Sequence, residues 1–265
     1  MPTDAVLSAP SSQVVWAVVA GQYLFTSADR ATSWQARTLP SAGAAGNPLV
    51  SFVDATTGFV MFRSESATGC GLAGVQLWST ADGGNTWQAA GPLPSADCTD
   101  AMYFTDARHG MISTGDTFNV AVIWRTQDGG NTWVKAQSDV KHPAPRVNSF
   151  QVYGSTVLAY APPFVYRSSD GGLTWAYVTQ SPNSSKSIAF VTASTWIELI
   201  PHQSFATTDG GQSWHAFNTD YDQAAPIPPL VVFASPAVGY ATVRGQVQRT
   251  LDGGVHWEMV KNSWP

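Results

Sequence analysis

The sequence is short of charge, of lysine and glutamate above all, and of cysteine. Only 12% of its 265 residues are charged, about half the share usual in soluble domains. Lysine occurs four times and glutamate three times, with no Lys/Arg run and a net charge of −5. That excludes the basic footprint of a nucleic-acid-binding protein and a polybasic patch for acidic lipid. No apolar run approaches the roughly 18 residues of a membrane-spanning helix. No stretch carries a sustained 3.6-residue apolar period with caps, so very little helix is expected. Two cysteines, Cys70 and Cys98, are too few for a disulfide scaffold and fit no zinc spacing. Met1-Pro2-Thr3-Asp4 opens without the basic and apolar segments of a signal peptide. With a surface rich in Ser, Thr, Gly and Ala, this points to an exported protein, periplasmic or extracellular, whose leader has been removed. A cytoplasmic protein is the alternative.

What is abundant is repetition. Five segments read Ser/Thr-x-Asp-Gly-Gly-x-(Thr/Ser/His)-Trp: Thr80 to Trp87, Thr126 to Trp133, Ser168 to Trp175, Thr207 to Trp214 and Thr250 to Trp257. A sixth, Ser27 to Trp34, keeps Asp29 but replaces both glycines, by Arg30 and Ala31. The six tryptophans fall 53, 46, 42, 39 and 43 residues apart. A period near 45 residues is that of four-stranded propeller blades. Each repeat divides into four β-branched or aromatic runs bounded by Gly, Pro, Asp or Ser, the pattern of short strands.

The Asp-Gly-Gly segment reads as the hairpin between the third and fourth strands. Its carboxylate (Asp29, Asp82, Asp128, Asp170, Asp209 or Asp252) bonds backbone N–H groups ahead of it, and the glycines supply positive φ. The Trp at its end (Trp34, Trp87, Trp133, Trp175, Trp214 or Trp257) buries a large face between neighbouring units. These residues are assigned to stability. A second phrase, Phe-x-Asp/Ser-x-x-x-Gly, starts at Phe52, Phe104 and Phe233 and fits the turn between strands one and two.

The box is the Asp-box, or BNR repeat. With the Phe-x-Asp phrase, residues of about 5 to 260 resemble the repeat proteins related to the photosystem II assembly factor. They are more distantly similar to sialidases, xyloglucanases and sortilin-type receptors. The expected fold is all-β: one six-bladed β-propeller domain over residues 1–265. Its blades fall at approximately 5–40, 48–92, 100–138, 146–180, 187–219 and 229–262, each contiguous.

Boxes and Phe-x-Asp turns then lie at the bottom. The loops between strands two and three, and those between blades, lie on top, where the resemblance implies a site around the channel. Long loops on a rigid scaffold are where binding usually resides. Asp116, Phe118, His142, Phe164 and Tyr221 are the candidate ligand-binding residues. Cys70 and Cys98 both map to the top. They form either a bridge worth roughly 3 kcal/mol in the chain-entropy model or two free thiols.

Chemistry at the channel mouth has several candidates. A sialidase needs converging arginines, and Arg63, Arg146 and Arg244 are available, although the Arg-Ile-Pro motif of that family is missing. Arg125, Arg167 and Arg249 precede boxes and read as strand-surface residues. Glu65 and Glu198 are candidates for a glycosidase carboxyl pair. Glu198 stands in the apolar run Trp196–Ile200, either on the solvent face or buried. For a metal-dependent hydrolase, Asp100, Asn148 and Glu65 could contribute oxygens to a channel Ca2+, as hard cations require, with His142 or His202 as a base. No zinc-protease or EF-hand spacing occurs, nor a Gly-x-Ser-x-Gly elbow.

Two functions follow. One is an exported, non-catalytic binding or assembly-type propeller that takes a protein or glycan on its top loops. The other is a hydrolase at the channel mouth: a metal-dependent esterase, lactonase or phosphotriesterase, or a glycosidase.

Overall fold

Strand and turn segments alternate as the residue pattern dictates, and the strands assemble into six four-stranded antiparallel sheets. The computed structural model describes residues 5–40, 48–62, 65–66, 69–70, 75–94, 98–115, 120–137, 146–183, 188–200, 204–221, 230–243 and 246–260. For 65, 66, 69, 70, 98 and 243 it describes the backbone only.

The first sheet holds β1 (Ala5–Ser8), β2 (Val15–Val19), β3 (Tyr23–Ser27) and β4 (Gln35–Arg37). The second holds β5 (Leu49–Phe52), β6 (Gly58–Met61), β9 (Leu77–Thr80) and β10 (Gln88–Ala89). A small hairpin, β7 (Glu65–Ser66) and β8 (Gly69–Cys70), rides on its second connection. The third holds β11 (Cys98–Phe104), β12 (Gly110–Gly115), β13 (Ala121–Thr126) and β14 (Val134–Lys135). The fourth holds β15 (Ser149–Tyr153), β16 (Thr156–Ala161), β17 (Phe164–Ser168) and β18 (Ala176–Gln180). The fifth holds β19 (Ile188–Phe190), β20 (Trp196–Glu198), β21 (Phe205–Thr207) and β22 (His215–Ala216). The sixth holds β23 (Val231–Phe233), β24 (Gly239–Val243), β25 (Gln246–Thr250) and β26 (Glu258–Met259).

Each four-stranded sheet draws its strands from one stretch of chain, the second skipping only the β7–β8 hairpin, so no closing strand is exchanged among the described residues. The protein is a six-bladed β-propeller, without helix among the described residues.

Second strands such as β2, β6 and β12 are buried throughout, while β10, β14, β22 and β26 are exposed. The chain divides into two compact units, Met1–Arg37 with Thr179–Pro265, and Thr38–Val178. In the second unit, one core joins Phe59, Met61 and Leu77 to Met102, Phe104 and Ile112. Another joins Met111 and Ile123 to Phe150, Tyr166 and Trp175. In the first unit, Leu7, Val15, Ala17 and Ala31 pack with Val238, Tyr240, Val247 and Val260. Ile197, Leu199 and Tyr221 pack there with Phe233.

The Phe-to-Gly phrase has a steric cause beyond the turn. A Cβ on Gly110 would stand 2.4 Å from the Phe104 ring, and one on Gly58 2.2 Å from Phe52. The phenyl ring thus folds over the glycine six residues on. Its edge then meets the box Trp of its own sheet, with centroids 6.4 Å apart for Phe52–Trp87, Phe104–Trp133 and Phe233–Trp257.

Candidate functional site

The six boxes form one geometry. In the second, Thr80 Oγ1 donates to Asp82 Oδ1 at 2.9 Å and accepts the Gly84 N–H at 3.0 Å. Asp82 also accepts the Thr86 N–H and hydroxyl, at 2.9 and 2.6 Å. Led by the Thr86 hydroxyl, these bonds hold the Asp82 carboxyl at about 2. Asp29 and Asp128 are also held at about 2, led by the hydroxyls of Ser33 and Thr132. Asp170 and Asp209 are lowered further, led by Thr174 and Ser213. In the last box His256 replaces the hydroxyl residue, its Nδ1 2.5 Å from Asp252 Oδ2. Burial pushes Asp252 up, but the backbone and ring bonds from His256 outweigh it and hold the carboxyl at about 2.

Each box is also welded to the first turn of its own sheet. The N–H at its first glycine position reaches a carbonyl there: Gly83 to Thr56, Gly129 to Arg108, Gly171 to Ser155, Gly210 to Ser194, Gly253 to Ala237 and Arg30 to Gln13. Asp54 and Asp106 are turn residues, each accepting two backbone N–H bonds through Oδ1. The box carboxylates thus bond within their own turns.

At the opposite end of the second unit, one sequence candidate meets another. Thr99 pairs with Thr114 and Ala101 with Ser113, which leaves Asp100 as the extra residue of a β-bulge. The bulge aims its carboxylate at Arg146, just ahead of β15. Arg146 Nε and Nη2 reach Asp100 Oδ1 at 3.0 and 2.6 Å. The Asp100 side chain is 9% exposed and that of Arg146 45%. Asp100 Oδ2 is buried, and no described residue bonds it. A Cβ on Gly115 would stand 3.0 Å from that oxygen, so glycine makes the room for it. Asn148, two residues beyond Arg146, is exposed, and its N–H holds Tyr160 O at 2.7 Å.

This pairing changes the roles expected of both residues. A guanidinium on Asp100 opposes a cation there, and the described residues hold no group of three His, Cys, Asp or Glu side chains placed to share a metal. They therefore do not fit the channel Ca2+ expected with Asp100 and Asn148. Arg146 is neutralised by Asp100, so it does not act as an unpaired anion clamp.

The other candidates scatter. Glu198 is fully buried in β20, which excludes its solvent-face reading. Tyr221 is 3% exposed and packs edge-on against Trp257 at 5.5 Å, so it is core rather than an exposed platform. Phe164 is half-buried against Tyr177 at 5.9 Å. Arg249 is no surface residue: its side chain is 18% exposed and pairs with Glu258. Arg63, Asp116, Phe118, His142, His202 and Arg244 lie outside the described residues. So do the side chains of Glu65, Cys70 and Cys98, and with them the disulfide question. Sequence reasoning named Asp100 and Arg146 but missed their contact, because a bulge and 46 residues of separation leave no local signal.

A family model described as the DUF6242 beta propeller domain matches residues 4–243. The chain belongs to that family. No curated protein matches it. Among solved structures, this DUF6242 propeller is similar to YCF48 bound to D1 peptide, at 16% identity and TM-score 0.62 over 97% of this chain and 81% of that one. It is similar to YCF48 from Cyanidioschyzon merolae at 16% and 0.59, over 99% and 88%. An ancestral GH74 enzyme matches at 17% and 0.57, over 100% of this chain and 39% of its own. At such identities these likenesses establish the fold of the DUF6242 chain and no more.

Proposed function

We propose that the domain is an exported, non-catalytic binding propeller that docks an extended protein segment where the third and fourth sheets present Asp100, Arg146 and Asn148. The observation that carries this reading is the Arg146 guanidinium, fixed by a buried carboxylate yet nearly half exposed. A donor held in place before its partner arrives loses little entropy on binding. The exposed Asn148 amide adds a donor and an acceptor, matching a peptide group. The pair is neutral, which suits a backbone rather than a charged ligand. A whole-chain likeness to a propeller solved with a bound peptide supports the same class of partner.

The test is selection from a displayed random-peptide library, followed by fluorescence polarisation with the selected peptides. Arg146→Ala is expected to weaken binding about tenfold, roughly 1.4 kcal/mol. Asp100→Asn should weaken it less, by loosening the guanidinium. Peptides indifferent to both variants reject the site. Turnover of chromogenic glycosides, esters, lactones or phosphate esters, assayed with and without EDTA, would replace the binding reading by the hydrolase one.

A further inference from the structure

The first box departs from the other five at the junction between the first and last sheets. Arg30 and Ala31 occupy the two glycine positions and adopt the same left-handed backbone, with φ of 61° and 64°. Glycine takes that conformation freely and L-residues with a Cβ do not. The box bonds survive nonetheless. Ala31 N–H reaches Ser27 Oγ at 2.9 Å, and Ser33 N–H and hydroxyl reach Asp29 at 2.9 and 2.6 Å.

Elsewhere the second glycine admits a side chain of the preceding sheet. A Cβ on Gly130 would stand 2.5 Å from Leu77, and one on Gly172 2.6 Å from Met111. At the first box a methyl stands in that place, fully buried among Val238, Tyr240 and Val247 of the last sheet. This junction therefore combines a strained backbone with an extra buried carbon.

Among the described residues no connecting segment joins these two sheets, β1 being the first described strand and β26 the last. The Arg249 side chain reaches across the junction. Arg249 Nη1 donates to the Arg30 carbonyl, while Arg249 Nε donates to Glu258 Oε1 at 2.9 Å. The guanidinium is thus anchored on β26 and gripped by the strained residue itself.

We propose that the junction between the first and last sheets is a latched seam that opens ahead of the rest of its unit, with the Arg249 guanidinium as the latch. Opening uncovers two apolar sheet faces, Leu7 and Val15 on one side and Tyr240 and Val247 on the other.

Hydrogen exchange read by mass spectrometry on the intact chain tests this. The reporters are the Arg30 and Ala31 amides, with Gly253 and Gly254 of the last box as internal controls. The first pair is expected to exchange at least tenfold faster than the second. Arg249→Lys, which keeps the charge but loses the fork, should speed the first pair several-fold more and leave the amides of Gly210 and Gly211 unchanged. Arg30→Gly should slow it. Equal exchange in the first and last boxes, or an Arg249→Lys variant indistinguishable from the parent at the first box, overturns the seam.

Discussion

The sulfur of Met111 stands 2.6 Å from where a Cβ would project from Gly172, so the box of the fourth sheet is open where this side chain of the third sheet enters it. Gly172 also holds φ at +90°. Gly172→Ala therefore meets two penalties: about 1–2 kcal/mol for the left-handed backbone and about 1–3 kcal/mol for overpacking. Urea unfolding should show a loss of at least about 2 kcal/mol. In a double-mutant cycle Gly172→Ala should cost less in a Met111→Ala background than in the parent, and a Gly172→Ala protein of unchanged midpoint would refute the contact.

The box hydroxyl is the second target. Thr126 is 2% exposed, and its Oγ1 donates to Asp128 at 2.8 Å while accepting the Gly130 N–H at 2.8 Å. Thr126→Val keeps the shape and leaves a buried donor unsatisfied. It should cost about 1–3 kcal/mol, and Thr126→Ser much less. A loss no larger for Thr126→Val than for Thr126→Ser would show that the two hydroxyl bonds contribute no more than the methyl group does.

The boxes also set an acid limit. Asp29, Asp82, Asp128 and Asp252 are held at about 2 in the folded chain, against about 3.9 for an ordinary aspartate. Lowered carboxylates stabilise the fold fully above the unfolded value and lose that contribution as pH falls through the folded one. The melting temperature should therefore drop between about pH 4 and pH 2, and a flat profile across that window would contradict the geometry.

His256 carries the opposite sign. Its bond to Asp252 and that carboxylate's charge raise its pKa above the ordinary 6.5. A raised imidazolium stabilises fully below the unfolded value and loses its effect as pH rises through the folded one. His256→Thr restores the hydroxyl of the other boxes. The parent's melting temperature relative to this variant should be highest near about pH 5 and decline above neutrality. A difference independent of pH would show that the pair is not felt.

Arg30 offers a stabilising change. Its side chain is exposed while its backbone is left-handed. Arg30→Gly should raise unfolding free energy by about 1 kcal/mol, read by the same urea titration. A loss would mean that the arginine side chain contributes more than its backbone costs.

The legible part of this fold is what short-range chemistry writes into the chain. Asp82 to Thr86 spans four residues and Phe104 to Gly110 six, so each constraint leaves its spacing in the sequence. Tyr221 and Glu198 were misread or left open for the contrary reason. Nothing within a few residues of Tyr221 announces Trp257, and the apolar run around Glu198 allows either face. Asp100 and Arg146 were picked out for their chemistry alone. Their union depends on one extra residue in β11, which shifts the register without altering composition.

The runs that leave the fourth strands of the third and fifth sheets bear on how such a chain can grow. Gln137 N–H bonds Leu173 O, and its carbonyl accepts the Trp175 N–H. Asp220 likewise bonds Val255 O and, through its carboxylate, the Trp257 N–H. A hydrogen-bonded set is thus complete only across a sheet boundary, from the tail of one repeat to the box of the next. A single copied sheet would arrive with its box uncovered on one side and its tail unmatched on the other. A segment copied with these bonds intact would start and end inside the sheets, offset from the visible blade.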